Sequence, residues 1–142
     1  MAIPAPGLDD DEPVVARMTV AFRGSFAAST RGLGFMSSRA RLKSFSLWAD
    51  HADDVGFPVA KPEMVLGVTN RRLVVWRPSF WFGRPAELVG TIPFENIIHV
   101  EVYRAGPTAV LVFGFRNGEF VEVESMRARP MRDIRDAVRA HL

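Results

Sequence analysis

From residue 63 onward, apolar residues recur at every second position, in short runs that turn-forming residues separate. Met64, Leu66 and Val68 alternate in the first run, whereas residues 108–115 are almost continuously apolar. A period of two predicts a strand with one buried face, and a short continuous run predicts a strand buried on both faces. This part of the chain therefore predicts a β-sheet whose apolar face must be covered.

Six strands follow from this pattern, and tight turns join most of them. The predicted strands are 64–68, 73–76, 87–92, 97–103, 108–115 and 119–124. Asn117-Gly118 predicts a two-residue type I′ hairpin, and Thr69-Asn70-Arg71 and Gly106-Pro107 predict further turns. Short strands joined in this way predict an antiparallel sheet, and the apolar content requires that sheet to curl or fold over on itself.

Two amphipathic helices are predicted outside these strands. Residues 38–55 place apolar side chains at spacings of three and four and end before Gly56, while residues 130–142 begin with Pro130 and carry a second apolar stripe. The first stripe comprises Leu42, Phe45, Ala49, Ala52 and Val55, with Trp48 beside it; the second comprises Met131, Ile134, Val138 and Leu142.

The first 60 residues are harder to interpret. Residues 1–13 contain four consecutive acids among Pro and Gly, so we interpret them as a disordered acidic tail. Residues 14–35 fit either a strand or a helix, and of the two we favour a short helix. Residues 14–60 are accordingly predicted to form an N-terminal helical extension that packs on a domain of residues 61–142.

Composition limits the class of protein. A chain of 142 residues has the size of one domain, and the absence of cysteine excludes disulfides, thiolate zinc sites and a cysteine nucleophile. The N-terminus lacks the basic start and apolar stretch of a secretory signal, and no apolar run is long enough to span a membrane, so we expect a cytoplasmic protein. A net charge of +2 is too small to indicate nucleic-acid binding by itself.

Residues 64–142 resemble bacterial pleckstrin-homology-like (PH-like or GRAM-like) domains. Three motifs carry the resemblance. Val65–Trp76 matches a strand-turn-strand with the pattern hydrophobic-Thr-Asn-Arg-Arg-Leu, and Ile92 to Ile97 matches an Ile-Pro-x-x-x-Ile element. The third motif is the Asn117-Gly118 hairpin followed by a final helix. The N-terminal half resembles that of actinobacterial proteins with such a domain at their C-terminus. A pleckstrin-type sandwich requires a seventh strand, which would have to come from around Met18 to Arg23 or be absent.

The resemblance and the periodicity together predict an α+β fold: a curved antiparallel β-sheet or partly open barrel, capped by the C-terminal helix. The resemblance implies a scaffold that binds lipid headgroups, peptides or other proteins and that has no shared catalytic residues. It does not specify a ligand, because one fold hosts many functions.

The candidate binding site lies at residues 64–86, which hold four arginines and no acid. Its residues are Arg71, Arg72, Arg77, Phe80, Trp81, Phe82 and Arg84. Aromatic rings flanked by basic side chains are typical of a peripheral membrane contact. The more common arrangement, however, is that such rings fold under the rim of the sheet and leave solvated edge arginines.

Other clusters are interpreted as surface features. Asp50, His51, Asp53 and Asp54 could suggest a metal site, but they lie on the predicted solvated face of their helix. His99 is predicted to face outward with Glu101 and Tyr103, opposite an inward set of Ile98, Val100 and Val102. Arg132, Arg135 and Arg139 line one stripe of the last helix, where a nucleic acid or an acidic partner could bind.

The function expected from the sequence is that of a non-catalytic binding module, with no enzymatic activity, cofactor or metal. Its ligand is expected to be a protein partner or an anionic membrane surface at the inner face of the membrane. The alternatives are a self-associating interaction protein and, less favoured, a nucleic-acid binder.

Overall fold

A computed structural model of the protein describes residues 5–25, 35–59, 61–79 and 84–142. Over these ranges the chain forms one seven-stranded antiparallel sheet with two α-helices. The strands are β1 Val14–Phe22, β2 Glu63–Thr69, β3 Arg72–Pro78, β4 Pro85–Pro93, β5 Ile97–Ala105, β6 Thr108–Phe115 and β7 Phe120–Ser125. The helices are α1 Phe35–Val55 and α2 Ala128–Arg139, and a 3-10 turn covers Phe94–Asn96.

The strand order is β4-β3-β2-β1-β7-β6-β5, so β4 and β5 form the two edges and the sheet is not closed. The α+β class, the antiparallel sheet, its six predicted strands and the C-terminal helix are confirmed. From β2 to β7 the connections are short, and consecutive strands lie side by side in the sheet. The exception is the step from β4 to β5, which are the two opposite edge strands.

The short helix predicted within residues 14–35 is wrong at residues 14–22, which form β1 in the middle of the sheet. β1 pairs with β2 from Val14↔Thr69 to Ala21↔Glu63, and its alternating Met18, Val20 and Phe22 are buried. The ambiguous pattern is resolved by tertiary pairing, because only a strand can satisfy the backbone groups of β2 along that length. β1 also supplies the seventh strand that the sequence left open.

The inner face of the sheet surrounds a single apolar core to which strands from both ends contribute. Buried inner residues include Met18, Val20, Leu66, Val68, Leu73, Val75, Leu111, Phe113, Val121 and Val123. Helix α2 adds Met131, Ile134 and Val138, each fully buried. The apolar stripe predicted for this helix is wrong at Leu142, because the helix ends at Arg139 and the Leu142 side chain is 53% exposed.

Helix α1 covers the start of β7, which pairs with β6 on one side but with no described strand on its other side. β1 pairs with β7 only at Ala21↔Glu124 and Phe22↔Val123, so the carbonyls nearer the start of β7 need other donors. The Trp48 indole N–H donates to the Glu122 carbonyl (2.8 Å), and the His51 ring Nε2 donates to the Phe120 carbonyl (2.7 Å). These two side chains attach α1 to the sheet.

The predicted core-facing stripe of α1 is confirmed at Phe45, Trp48, Ala52 and Val55 but is wrong at Leu42. Phe45 and Trp48 pack against Phe22, and Trp48 also meets Phe57 edge-on with ring centroids 6.1 Å apart. Leu42, which was predicted to face the core, is 63% exposed.

Two local predictions need correction. The β6–β7 turn is a three-residue loop rather than a type I′ turn, because Gly118 N–H donates to the Phe115 carbonyl and Phe115 N–H donates to the Glu119 carbonyl. Gly118 holds φ at +86°, where glycine is favoured. Ile98 does not face inward: the β5–β6 register shifts between Ile97 and His99, which buries Ile97 and leaves Ile98 54% exposed.

The N-terminal strap, defined as residues 5–13, lies across the outer face of β2 and β3. Ala5 and Leu8 pack against Val65, Val74 and Trp76, and the Trp76 indole N–H donates to the Pro6 carbonyl (2.8 Å). The sequence predicts a disordered tail here, whereas the structure gives these residues an apolar contact and hydrogen bonds.

Candidate functional site

The structure describes part of the predicted binding site. Phe80, Trp81 and Phe82 lie outside the described residues. Arg71 and Arg72 lie at the turn between β2 and β3, Arg77 near the end of β3, and Arg84 just before β4.

Arg72 belongs to an ionic cluster rather than to a free basic surface. Its guanidinium donates two hydrogen bonds to the Glu12 carboxylate, from Nε to Oε2 (2.7 Å) and from Nη2 to Oε1 (2.8 Å). The Thr69 hydroxyl donates to the same carboxylate (2.8 Å), and Glu12 is only 3% exposed. These hydrogen bonds, that from Arg72 foremost, lower the pKa of Glu12 from 4.5 to about 2 despite its burial, and Glu12 in turn raises the pKa of Arg72.

Thr69 explains the Thr-Asn-Arg-Arg motif in physical terms. Its hydroxyl oxygen accepts hydrogen bonds from the backbone N–H groups of Arg71 and Arg72, both at 3.1 Å. The side chain therefore closes the turn and orients Glu12 at the same time.

Two of the other three arginines of the predicted site also form ion pairs with acidic side chains. Arg71 pairs with Asp9 (2.9 Å) and Asp11 (2.6 Å), and Arg77 pairs with Glu87 (2.7 Å). Of the four, Arg84 alone has no ion pair within the described ranges. The basic stretch seen in the sequence is thus balanced by acids from the N-terminal strap and from β4.

A hollow on the outer face of the sheet, here called the Glu124 hollow, was not predicted. Ala21 lies between Glu63 on β2 and Glu124 on β7 and is the direct register partner of both. Register partners project from the same face, so the small alanine leaves a depression between two glutamates whose strands are about 10 Å apart. The hollow has a volume of about 370 Å³, and its other lining residues are Ser25, Arg41, Thr108, Ser125 and Met126.

Glu124 is the unusual group in this hollow, since it is 2% exposed yet only partly hydrogen-bonded. Its Oε1 accepts a hydrogen bond from the Gly24 N–H and lies 3.9 Å from Arg23 Nη1. Its Oε2 is buried and accepts no hydrogen bond from any described residue. A buried acceptor without a donor costs free energy, on the order of 1–3 kcal/mol.

A second hollow of about 380 Å³ adjoins the first and shares Arg41 and Glu63 with it. Its remaining lining residues are Lys61, Pro62, Pro78 and Ser79. Arg41 comes from α1, and its guanidinium bonds to Glu63 Oε1 (3.2 Å) and Ser25 Oγ (3.1 Å). We call the two hollows together the α1 groove; it leads from β7 towards the loop that follows Ser79.

The remaining predicted surface clusters show no comparable geometry. Asp50, His51, Asp53 and Asp54 are exposed on α1, and no group of three or more metal-ligating side chains lies together in the part of the chain that the structure describes. His99 Nε2 lies 3.6 Å from Glu101 at the surface.

On helix α2, the predicted stripe is partly engaged in ion pairs. Arg139 pairs with Glu101 and Arg135 with Asp136, at 3.0 and 2.9 Å.

Sequence reasoning missed Glu124 because nothing in the local pattern sets it apart. Glu122 and Glu124 both alternate with buried valines and both predict outward, solvated side chains. The Glu122 side chain is 36% exposed, as predicted, whereas the Glu124 side chain is buried at the point where β1 pairs with β7. Only the pairing of strands about 100 residues apart distinguishes them.

Comparison with known protein families finds no match to this chain, and comparison with curated proteins also finds none. In the described ranges, neither α-helix is long and apolar enough to cross a membrane.

Proposed function

We propose that this chain is a non-catalytic binding module with a pleckstrin-homology-like architecture, and that its ligand is a segment of a protein partner that binds in the α1 groove. The architecture is supported by the seven strands and the final helix, together with the Thr69-centred turn that carries the family-like motif.

The observation that carries the proposal is the α1 groove itself. It combines polar side chains, apolar contacts at Ala21, Pro62 and Met126, and a buried carboxylate oxygen that accepts no hydrogen bond from any described residue. Concave surfaces with a few placed polar groups in an otherwise mixed lining are where proteins hold ligands. Two hollows that share Arg41 and Glu63 offer adjacent sites for side chains of one extended peptide segment.

Between the two ligands expected from the sequence, the charges favour a protein. An anionic membrane attracts unpaired basic residues, at about 1 kcal/mol for each one near the surface. Arg71, Arg72 and Arg77 already pair with acids of the same chain, so little of the predicted basic surface remains for lipid.

Selection from a random peptide display library against the full chain tests this proposal. The matched variants are Ala21→Leu, which fills the groove at its floor, and Thr19→Leu, which adds the same side chain to the same face of β1 outside the lining residues. We expect enriched peptides that bind the wild-type chain and Thr19→Leu equally but lose affinity at least tenfold for Ala21→Leu.

A parallel assay measures co-sedimentation with phosphatidylcholine vesicles that contain or lack phosphatidylglycerol. Anionic vesicles that retain the chain, with no peptide enriched through the groove, would overturn the proposal in favour of a membrane ligand. Enriched peptides that bind Ala21→Leu as well as they bind the wild type would place the site elsewhere and also refute it.

A further inference from the structure

Glu63 and Glu124 bring two carboxylates to opposite walls of one hollow, with Ala21 as its floor. We infer that the Glu124 hollow selects a basic side chain, lysine or arginine, of the bound partner; this inference rests on the proposed function and names the chemistry of its site. The geometry that points to it is a buried carboxylate oxygen, with no donor among the described residues, on a side chain that lines an open polar depression.

The two glutamates differ in how far their oxygens are already used. Glu63 Oε1 is bonded to Arg41, while the side chain as a whole is 60% exposed and retains access to solvent. Glu124 is buried, and its Oε2 has no donor among the described residues. A ligand donor that reaches Oε2 removes the cost of an unpaired buried acceptor, so that contact favours binding.

The described cations near the hollow do not donate to Glu124 Oε2. Arg41 is held by Glu63 and Ser25, and Arg23 lies closer to Glu122 (3.4 Å) than to Glu124 (3.9 Å) and on the Oε1 side. Among the described residues that line the Glu124 hollow, the two carboxylates of Glu63 and Glu124 face one guanidinium group, that of Arg41, while Lys61 lies in the adjoining hollow. An incoming cation in the Glu124 hollow therefore meets an excess of acidic lining residues.

The size of the hollow also fits a basic side chain. A volume of about 370 Å³ admits a four-carbon stem with its head group, and Ala21 and Met126 offer apolar contact to the stem. An ammonium group has three donors, enough for Glu124 Oε2 and one of the hydroxyl or carboxylate oxygens nearby. An apolar side chain of the same length would leave Oε2 unpaired, an acidic one would meet like charge, and an amide could donate to Oε2 but would not balance the charge of the two glutamates.

The first test is a two-dimensional NMR titration of the full chain with Nα-acetyl-lysine methylamide and, separately, with its Nε-acetylated form. The lysine probe is expected to shift the amides of Ala21, Glu63, Glu124, Ser125 and Met126 in a saturable way, with a Kd of about 1–10 mM as suits one side chain. The acetylated probe, which keeps the stem but has no charge, should give no saturable shift there. Equal shifts from both probes, or none from either, would overturn the inference.

Variants separate the hollow from general surface charge. Glu124→Gln is expected to weaken lysine binding at least tenfold, and Ala21→Leu to abolish it by filling the space. Glu119→Gln removes one exposed acid outside the lining residues and should leave the Kd within twofold of wild type. If Glu124→Gln does not fold, as shown by loss of dispersed amide signals, Ala21→Leu alone decides the test.

The peptide selection described above distinguishes failure of this inference from failure of the proposed function. Peptides that depend on Ala21 but show no enrichment of lysine or arginine would leave the proposed function standing and refute the basic-side-chain inference. Lysine binding in the hollow without any enriched peptide would refute the proposed function, and it would leave the hollow as a site for small cationic amines.

Discussion

The ionic cluster at the β2–β3 turn makes a quantitative prediction for Glu12→Gln. The glutamine keeps the size of the side chain and an oxygen that can accept from Thr69, but it loses the charge that holds two hydrogen bonds from Arg72. Folding lowers the pKa of Glu12 from 4.5 to about 2, which corresponds to about 3 kcal/mol of folding stability at neutral pH.

The sign of the pH dependence follows from the direction of that shift. A carboxyl whose pKa is lowered in the folded state contributes its full stability above its unfolded pKa and loses it as the pH falls through the folded pKa. The stability that Glu12 provides should therefore be complete above about pH 5 and decline between about pH 4.5 and about pH 2.

Urea unfolding followed by tryptophan fluorescence measures both effects. We expect Glu12→Gln to reduce the free energy of unfolding by about 2–3 kcal/mol at about pH 7, and the difference from wild type to shrink to below about 1 kcal/mol at about pH 3. Asp10→Asn is the matched control, since Asp10 is an exposed acid of the same strap with no ion pair within the described ranges; its effect should stay within about 0.5 kcal/mol.

A difference for Glu12→Gln that is below about 0.5 kcal/mol, or that does not change with pH, would refute the reasoning. It would show that the carboxylate and Arg72 gain no more from each other in the folded chain than they lose in hydration.

Three further predictions concern the sheet and its helices. Gly67→Ala places a Cβ against the buried Trp76 indole, which cannot withdraw because its N–H is bonded to Pro6, so we expect a loss of about 1–3 kcal/mol in urea unfolding. Ile134→Ala leaves a cavity under α2 and should cost about 2–5 kcal/mol in the same assay, while an exposed α2 site such as Arg132→Ala should cost less than about 0.5 kcal/mol. Trp48→Phe removes the donor to the Glu122 carbonyl and should destabilise the protein by about 1–2 kcal/mol, with hydrogen exchange accelerated in α1 more than in β6; equal acceleration in both would contradict the idea that Trp48 attaches α1.

The strands from β2 to β7 could be predicted because their period of two and their turns are local signals. Thr69, Gly106 and Gly118 mark the turns in the sequence itself, and each strand pairs with a near neighbour along the chain except across β4 and β5. The position of β1 is different, because it joins two strands that lie about 40 and 100 residues away. A sequence that suits both a helix and a strand acquires its conformation from such distant partners, which local patterns do not contain.

The candidate site shows the same division between local and distant information. Arg71 and Arg72 form a basic pair within any window around residue 71, and their acidic partners Asp9, Asp11 and Glu12 lie about 60 residues earlier. A count of charges along the chain therefore assigns a basic surface to the β2–β3 turn and an acidic tail to the N-terminus, although in three dimensions the two neutralise each other. The same pairing explains why the strap is ordered, since burying Glu12 is favourable only where Arg72 and Thr69 supply its hydrogen bonds. Glu124 is the converse case: its buried Oε2 accepts no hydrogen bond from any described residue, and our proposal places the ligand there because of that imbalance rather than because of an excess of basic residues.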